Sequence, residues 1–199
     1  MTVPVEPELL LHQTDWTLEQ YERMVDEGIL TPEHRVELLF GKIVHKLAVG
    51  DLHTFCVQEL NYAMIERYGR QFTCRQEQPI SLPKHSAPEP DYILAAPAED
   101  RYFNRKPLPA EIKLAIEVSD STLARDQGSK ARLYGLFGIP EYWIINLVDK
   151  RVEVHTSPRG HTDKGGYERI EYFSADTAFR SGVLGEIAMT DFIPAVAWK

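Results

Sequence analysis

The sequence predicts a mixed α/β fold, in which a mixed β-sheet is flanked by helices. Residues 141–148 (EYWIINLV) are almost continuously apolar, which is typical of a strand buried in the centre of a sheet. A helical pattern at residues 123–137 separates this segment from another apolar strand pattern at 113–118. A helix between two such strands indicates a βαβ-type crossover.

Composition and length set the class of protein. The chain has 199 residues, of which 43% are hydrophobic and 26% are charged, so it can bury a full core. We expect a loose arm at residues 1–15 and one domain at 16–199. The two cysteines form no CxxC pair and no apolar run approaches the roughly 20 residues of a membrane span. These features predict a cytoplasmic protein with reduced thiols and no membrane association.

The N-terminal elements begin with a helix and a hairpin. Thr17 and Gln20 have the spacing of a capping box, and Gly28 ends the helical pattern. Residues 35–46 predict two short strands joined at Phe40-Gly41-Lys42.

A long helix and several extended segments follow. Asp51 is suited to the N-cap of a helix that ends at Gly69, because the apolar positions between them keep a helical period. Residues 71–82 are predicted to be extended, and residues 91–95 to form a strand. The proline-rich residues 96–110 predict an exposed, locally basic connection.

The C-terminal third continues the sheet. The helix at 123–137 should stop at Gly138, as a C′ glycine requires. Residues 151–156 and 167–173 predict antiparallel strands, and the C-terminus predicts one last extended piece. In the central strand, Tyr142 and Trp143 are expected in the core rather than as a platform for stacking bases.

Two acidic residues occupy strand positions where carboxylates are unusual. Asp91 opens a strand directly after a proline, and Glu117 lies inside an apolar strand. Burying an ionised glutamate there is costly unless it is paired or coordinated. From this pattern alone, the simpler interpretation is a carboxylate that is exposed to water or paired with an arginine.

A longer motif connects these acids to a known family. Pro90-Asp91, then Glu117-Val118-Ser119, then Lys130 in the following helix resemble the PD-(D/E)XK nuclease superfamily. The closer similarity is to its Uma-type branch of restriction-endonuclease-like proteins, and it extends over roughly residues 16 to 195. The matching stretches are VELLFGKIV, PEPDYIL and LAIEVSDSTLARDQGSKARLYGLFGIPEYWIIN.

The resemblance implies a restriction-endonuclease-like fold with a four-stranded mixed core and a Mg²⁺-dependent phosphodiesterase centre, with Mn²⁺ as an alternative ion. Asp91 and Glu117 would be the metal ligands, since hard carboxylate oxygens suit Mg²⁺. Glu37 matches an additional acid of the family, which would complete the site or bind a second ion.

The family lysine is displaced in this chain. The superfamily places it two residues after the second acid, where this sequence has Ser119. The Uma-type branch supplies it from the next helix, and Lys130 fits that position. The alternative is that Asp126 and Lys130 form an ordinary i,i+4 surface pair. Lys113 is a weaker rival, about 13 Å from Glu117 along the strand.

Further candidates for substrate binding have weaker signals. His53 lies at the start of the long helix, whose N-terminus favours anions, and Gln127 lies near Lys130 in sequence. Arg101, Arg105 and Lys106, joined by Arg125 and Arg132, form the best local basic patch near the proposed site. For each of them, an ordinary solvated side chain is the simpler interpretation.

The predicted function is hydrolysis of DNA phosphodiester bonds by a metal-activated water, with assistance from Lys130. A net charge of −8 opposes this, because a dedicated DNA-binding protein makes roughly 6–10 phosphate contacts. A homodimer that pools its basic patches would reduce the difficulty. Two alternatives stay open: a catalytically inactive, nuclease-like binding or regulatory protein, and a phosphodiesterase acting on RNA or nucleotides.

Overall fold

The computed structural model describes residues 15–160 and 165–198. The predicted arm at residues 1–15 therefore lies outside the described residues, apart from Asp15. The helices are α1 (Leu18–Asp26), α2 (Asp51–Tyr68), α3 (Leu123–Arg125) and α4 (Ala131–Leu136), with a π turn (Asp126–Lys130) that joins the last two. Within these ranges, no helix is both long and apolar enough to cross a membrane.

The strands form one large sheet and two hairpins. Their bounds are β1 (Val36–Leu39), β2 (Lys42–His45), β3 (Thr73–Gln76), β4 (Tyr92–Ala95), β5 (Ile112–Ser119), β6 (Glu141–Asn146), β7 (Arg151–Pro158), β8 (Tyr167–Ser174), β9 (Ala178–Ser181) and β10 (Gly185–Ala188). Strands β3 to β8 make a six-stranded sheet in sequence order. The mixed sheet is confirmed, with two more strands than the family resemblance implied.

The centre of the sheet is a parallel pair. Strands β5 and β6 are parallel, whereas every other neighbouring pair in this sheet is antiparallel. The helical segment α3–π turn–α4 connects β5 to β6, so the predicted crossover is confirmed. All six residues of β6 are buried, and the expectation that Tyr142 and Trp143 belong to the core is correct.

Both faces of the sheet are covered, and β5 contributes to each face. Leu114, Ile116 and Val118 pack on α2 and the C-terminal segment. Ala115 belongs to the opposite cluster, which includes residues of α4. Because side chains alternate along a strand, Glu117 lies on the face covered by the helical crossover segment.

The N-terminal predictions are confirmed with one correction. Thr17 makes both hydrogen bonds of the capping box with Gln20. The β1–β2 hairpin turns at Phe40 and Gly41, which both have positive φ, as a two-residue type I′ turn requires. The prediction that Asp51 is an N-cap is wrong: Gly50 takes that position, and Asp51 begins the helix.

The C-terminus differs from the single extended piece that was predicted. Strands β9 and β10 form an antiparallel hairpin. The hydroxyl of Ser181 accepts hydrogen bonds from the backbone N–H groups of Val183 and Leu184, which closes the turn. Phe179 and Ile187 pack into the core on the α2 side of the sheet. Such short strands are stabilised by tertiary packing, which a local pattern does not reveal.

Candidate active site

Glu117 is buried in the sheet, on the face covered by the helical crossover segment. Its side chain Oε1 accepts hydrogen bonds from Lys130 Nζ at 2.9 Å and from the Tyr134 hydroxyl at 2.8 Å. Only 2% of the residue is exposed. The interpretation of Glu117 as a solvent-exposed or arginine-paired carboxylate is therefore wrong.

Asp91 is fixed at the start of β4 by two donors. Its Oδ2 accepts the backbone N–H of Val118 at 2.7 Å and lies 3.2 Å from His53 Nε2. Burial alone would lower the pKa of His53, but the hydrogen bond and charge of Asp91 outweigh it and raise that pKa. His53 is itself buried, so the expectation of a solvated histidine is wrong.

The π turn brings Asp126 to the same place. Its Oδ2 accepts hydrogen bonds from Ser119 Oγ at 2.7 Å and from Thr122 Oγ1 at 2.5 Å. Its Oδ1 is buried, and no donor bonds to it among the described residues. The turn is held to the sheet because the Tyr142 hydroxyl donates to the carbonyl of Asp126 at 3.1 Å. π turns are frequent at functional sites.

Lys130 points into the middle of these carboxylates. Besides Glu117, its ammonium lies 3.8 Å from Glu37 Oε2 and 3.9 Å from Asp126 Oδ1. Burial would lower the pKa of Lys130, but the surrounding carboxylates, Glu117 first, raise it above its ordinary value. The i,i+4 surface-pair interpretation is wrong, because both partners are buried. Lys113 instead donates to the carbonyl of Ala110.

Glu37 reaches the cluster from β1. Its Oε2 accepts the backbone N–H of Glu89 at 3.2 Å, and its Oε1 lies 3.4 Å from Arg125. Arg125 also donates to the carbonyl of His45 at 2.9 Å, which ties the crossover segment to the hairpin. The structure thus brings Glu37 and Glu117 to one lysine, and Asp91 lines the same cleft.

These side chains line a narrow opening that we call the acid cleft, with a volume of about 70 Å³. Its charged lining residues are Arg35, Glu37, Lys46, Glu77, Glu89, Asp91, Glu117, Arg125, Asp126 and Lys130. Six carboxylates thus face four cationic side chains. Burial is the main reason why the pKa values of Glu117 and Asp126 are raised, and neighbouring carboxylates raise them further.

Comparison with known proteins shows the family to which the chain belongs. The sequence profile of the Uma2 family, described as "Putative restriction endonuclease", matches residues 18–190. This chain belongs to the Uma2 family. The resemblance seen in the sequence is therefore confirmed, and membership of this family supports a nuclease function. No curated protein gives a significant match.

A solved structure supports the Uma2 fold. A "putative nuclease belonging to DUF820" from Anabaena variabilis superposes with a TM-score of 0.64 at 18% sequence identity. The alignment covers 92% of this chain and 98% of that chain. The two chains share a fold, and the predicted mixed sheet flanked by helices is confirmed.

The donor chemistry of the Uma2 acid cleft fits a divalent cation. Carboxylate oxygens are the ligands that Mg²⁺ and Mn²⁺ prefer, and Oδ1 of Asp126 is buried without a donor. The lining also carries a formal excess of two negative charges. However, among residues 15–160 and 165–198, no group of three His, Cys, Asp or Glu side chains is already arranged around a common ion position.

Several predicted binding residues lie away from the acid cleft. Gln127 is exposed and hydrogen-bonds to both carboxylate oxygens of Glu153. Arg105 pairs with Glu111. The others lie elsewhere as well: Lys106 pairs with Glu22, and Arg101 lines a separate surface pocket. Of the predicted basic patch, Arg125 lines the acid cleft and the other four members do not.

Tyr134 was not selected as a site residue from the sequence, Asp126 was expected only as a possible surface partner of Lys130, and Arg125 only as a member of the basic patch. Tyr134 donates to Glu117, and Arg125 contacts Glu37. Tyr134 could have been found from its spacing, because Asp126, Lys130 and Tyr134 are four residues apart and such residues share one face of a helix. No local pattern predicts that Arg125 reaches a strand that lies far away in sequence.

Proposed function

We propose that this chain is a divalent-metal-dependent endonuclease that hydrolyses phosphodiester bonds of DNA. The observation that carries the proposal is that Asp91, Glu117, Glu37 and Lys130 line one cleft of a Uma2 family member. Crowded carboxylates with perturbed pKa values that lie in a cleft mark a candidate functional site.

Asp91 and Glu117 would hold the ion, with Glu37 completing the set or serving a second ion. Mg²⁺ is the proposed ion and Mn²⁺ the alternative. When bound, the ion would acidify a water molecule and neutralise charge on the phosphoryl oxygens.

The chain's own residues supply orientation and charge. The N–H of Val118 and the imidazole of His53 fix the Asp91 carboxylate. Lys130 stays protonated because the carboxylates raise its pKa, so it can hold a positive charge beside the phosphoryl group. Tyr134 keeps Glu117 facing the cleft through its hydroxyl. Burial of these groups strengthens each interaction by excluding water.

The remaining parts of the proposal are DNA as substrate, a homodimer and a cytoplasmic location. A homodimer would pool basic patches, which suits a chain with a net charge of −8. The unpaired cysteines, Cys56 and Cys74, agree with a reducing compartment.

A cleavage assay tests the proposal. Single-stranded DNA, duplex DNA and RNA are incubated with Mg²⁺ or Mn²⁺ and with the wild type, Asp91→Asn or Lys130→Met. Asp120→Asn is the matched control, because Asp120 is an exposed acid that directly follows β5, the strand that carries Glu117. We expect metal-dependent cutting of DNA that Asp91→Asn and Lys130→Met abolish and that the control retains.

Calorimetric titration of the ion separates the alternatives. If the protein neither cuts nucleic acid nor binds the ion, the result supports the inactive, nuclease-like scaffold. Cutting of RNA alone would keep the catalytic centre and replace the substrate. Cutting that survives Asp91→Asn would exclude the acid cleft as the catalytic centre.

A further inference from the structure

A much larger groove opens directly beside the acid cleft. It has a volume of about 760 Å³, within the roughly 300–1,000 Å³ that is usual for ligand pockets. Arg35, Lys46 and Glu89 line both openings, so the two lie side by side. The acid cleft, at about 70 Å³, has room for a reacting group and its ions but not for a nucleoside.

Half of the residues that line this groove, which we call the nucleoside groove, are apolar, and the other half are polar or charged. The apolar residues come from α1, the segment that follows it, the β1–β2 hairpin and the loop before β4. The apolar lining residues are Tyr21, Val25, Leu30, Pro32, Val36, Pro79 and Ala87. The polar and charged lining residues are Glu22, Asp26, Thr31, Arg35, Lys46, Glu89 and Lys106. The apolar part of the wall is suited to the flat face of a base.

Arg35 is the cation at the junction of the two openings. Three other cations at the acid cleft are paired with carboxylates: Lys46 with Glu89, Arg125 with Glu37, and Lys130 with Glu117. Arg35 is exposed, and its guanidinium makes no ion pair within the described residues. The contact found for it is a 3.4 Å approach to the carbonyl of Leu47.

The backbone at Arg35 is held in an unusual conformation. Its φ is +48°, in the left-handed region, which a non-glycine residue adopts at a cost. The turn at Pro32–His34 directly precedes Arg35. The backbone carbonyl of Arg35 accepts a hydrogen bond from the N–H of Lys46 at 2.7 Å. These contacts fix the point from which the Arg35 side chain extends toward the junction.

We propose that the nucleoside groove binds an unpaired nucleotide of the substrate strand, adjacent to the scissile bond, and that Arg35 binds its phosphate. This inference rests on the proposed nuclease function and specifies its substrate as DNA with a single-stranded or unstacked nucleotide. A paired base within a duplex is stacked and cannot place its face against the apolar wall. A duplex would also favour a broad cationic surface, whereas this chain has a net charge of −8.

Binding without cutting tests the inference. A short fluorescein-labelled single strand, the same strand with one abasic position, and the corresponding duplex are titrated with protein in EDTA. Fluorescence anisotropy reports the dissociation constants. We expect the single strand to bind more tightly than the duplex, and the abasic position to weaken binding to the wild type.

One variant tests the cationic residue of the nucleoside groove, and a second tests its apolar wall. Arg35→Gln should weaken binding of the single strand by about tenfold, the effect of losing one charge-assisted hydrogen bond. Val25→Glu, at a half-exposed wall position, should weaken it and remove the effect of the abasic position. Arg169→Gln is the matched control, since Arg169 is exposed on β8 and pairs with Glu171. Circular dichroism verifies that each variant is folded.

The outcomes separate this inference from the proposed function. If the wild type cuts DNA but both variants bind the single strand within twofold of the wild type, the nucleoside groove is not the binding site. Equal affinity for duplex and single strand would also overturn the inference. A wild type that neither binds nor cuts any nucleic acid would overturn the proposed function as well.

Discussion

Two buried glutamates on adjacent strands have opposite surroundings. Glu141 on β6 and Glu117 on β5 are each 2% exposed. The two oxygens of Glu141 accept hydrogen bonds from neutral donors, the indole N–H of Trp143 at 2.6 Å and the backbone N–H of Gly182 at 2.8 Å. Glu117 instead bonds to the ammonium of Lys130, which Glu37 and Asp126 also approach.

The difference shows how a structural acid is distinguished from a candidate catalytic one. Fixed neutral donors satisfy Glu141 without any further group, as is usual for buried polar atoms. In the acid cleft, a single lysine serves several carboxylates, and Oδ1 of Asp126 has no donor among the described residues. Such crowding costs stability in the free protein, and a bound cation would relieve it. That cost is characteristic of functional sites.

The largest expected effect comes from removing the shared cation. Lys130→Met leaves Glu117, Glu37 and Asp126 without it, and we expect a loss of about 3–5 kcal/mol in the free energy of unfolding. Chemical denaturation measures this loss. Lys113→Met, on the same strand as Glu117 but bonded only to a backbone carbonyl in the described structure, is the control and should change stability by less than about 1 kcal/mol.

A rescue variant makes this prediction specific. Adding Glu117→Gln to Lys130→Met removes one of the buried negative charges that the lysine no longer neutralises, and should recover part of the lost stability. If Lys130→Met alone is as stable as the wild type, the carboxylates do not depend on the ammonium and the contrast with Glu141 fails.

The next effect is a pH dependence that originates outside the acid cleft. Burial lowers the pKa of His155 to about 4, although Glu153 opposes this shift. Because the unfolded chain binds the proton near 6.5 and the folded protein only near 4, stability falls as the pH drops through this interval. The expected loss is about 3 kcal/mol.

His155→Gln isolates that contribution. The free energy of unfolding is measured between pH 7 and pH 4 for the wild type and the variant, and the variant should lose distinctly less stability on acidification. Glu117 has the opposite sign, since its pKa is raised and its contribution falls as the pH rises above about 4.5. Parallel curves for the wild type and His155→Gln would contradict the prediction.

A smaller effect compares the two glutamates directly. In Glu141→Gln the amide N–H₂ must face either Trp143 or Gly182, which are both donors, so we expect a loss of about 2 kcal/mol. In Glu117→Gln the amide oxygen still accepts from Lys130 and Tyr134, so the loss should be about 1 kcal/mol. Only Glu117→Gln should abolish calorimetric binding of Mn²⁺; equal ion binding by both variants would remove the distinction.

Local sequence patterns correctly predicted the structural elements that neighbouring residues determine. The capping box at Thr17, the positive-φ turn at Gly41 and the buried strand β6 each depend on neighbouring residues. The acids Asp91 and Glu117 were found because the resemblance extended over a long motif. Their catalytic roles stay predictions, whereas their position in one cleft is a feature of the fold.

Features that depend on distant contacts were missed. The sequence of Asp126–Lys130 is compatible with an ordinary α-helix; its π turn is bonded to Tyr142 and Glu153, which lie on other strands. His53 was expected in solvent because a single histidine on the polar side of a helix is usually solvated, yet its partner, Asp91, comes from a loop far along the chain.

The smallest stability effect tests whether the outer network positions the acid cleft. Gln127, within the π turn, bonds to Glu153, which also accepts from Asn146 and Arg151. Gln127→Ala should therefore cost only about 1 kcal/mol of stability. Because the bond restrains the turn that carries Lys130, the rate of DNA cleavage should nevertheless fall by up to about tenfold.

Ser129→Ala is the matched control, since Ser129 lies in the same turn and bonds only weakly, at 3.4 Å, to the carbonyl of Arg125. It should leave both stability and cleavage unchanged. A cleavage rate unaffected by Gln127→Ala would mean that the bond from Tyr142 is sufficient to hold the turn. A rate that falls while stability hardly changes would show that a satisfied structural acid, Glu153, helps to position the crowded ones.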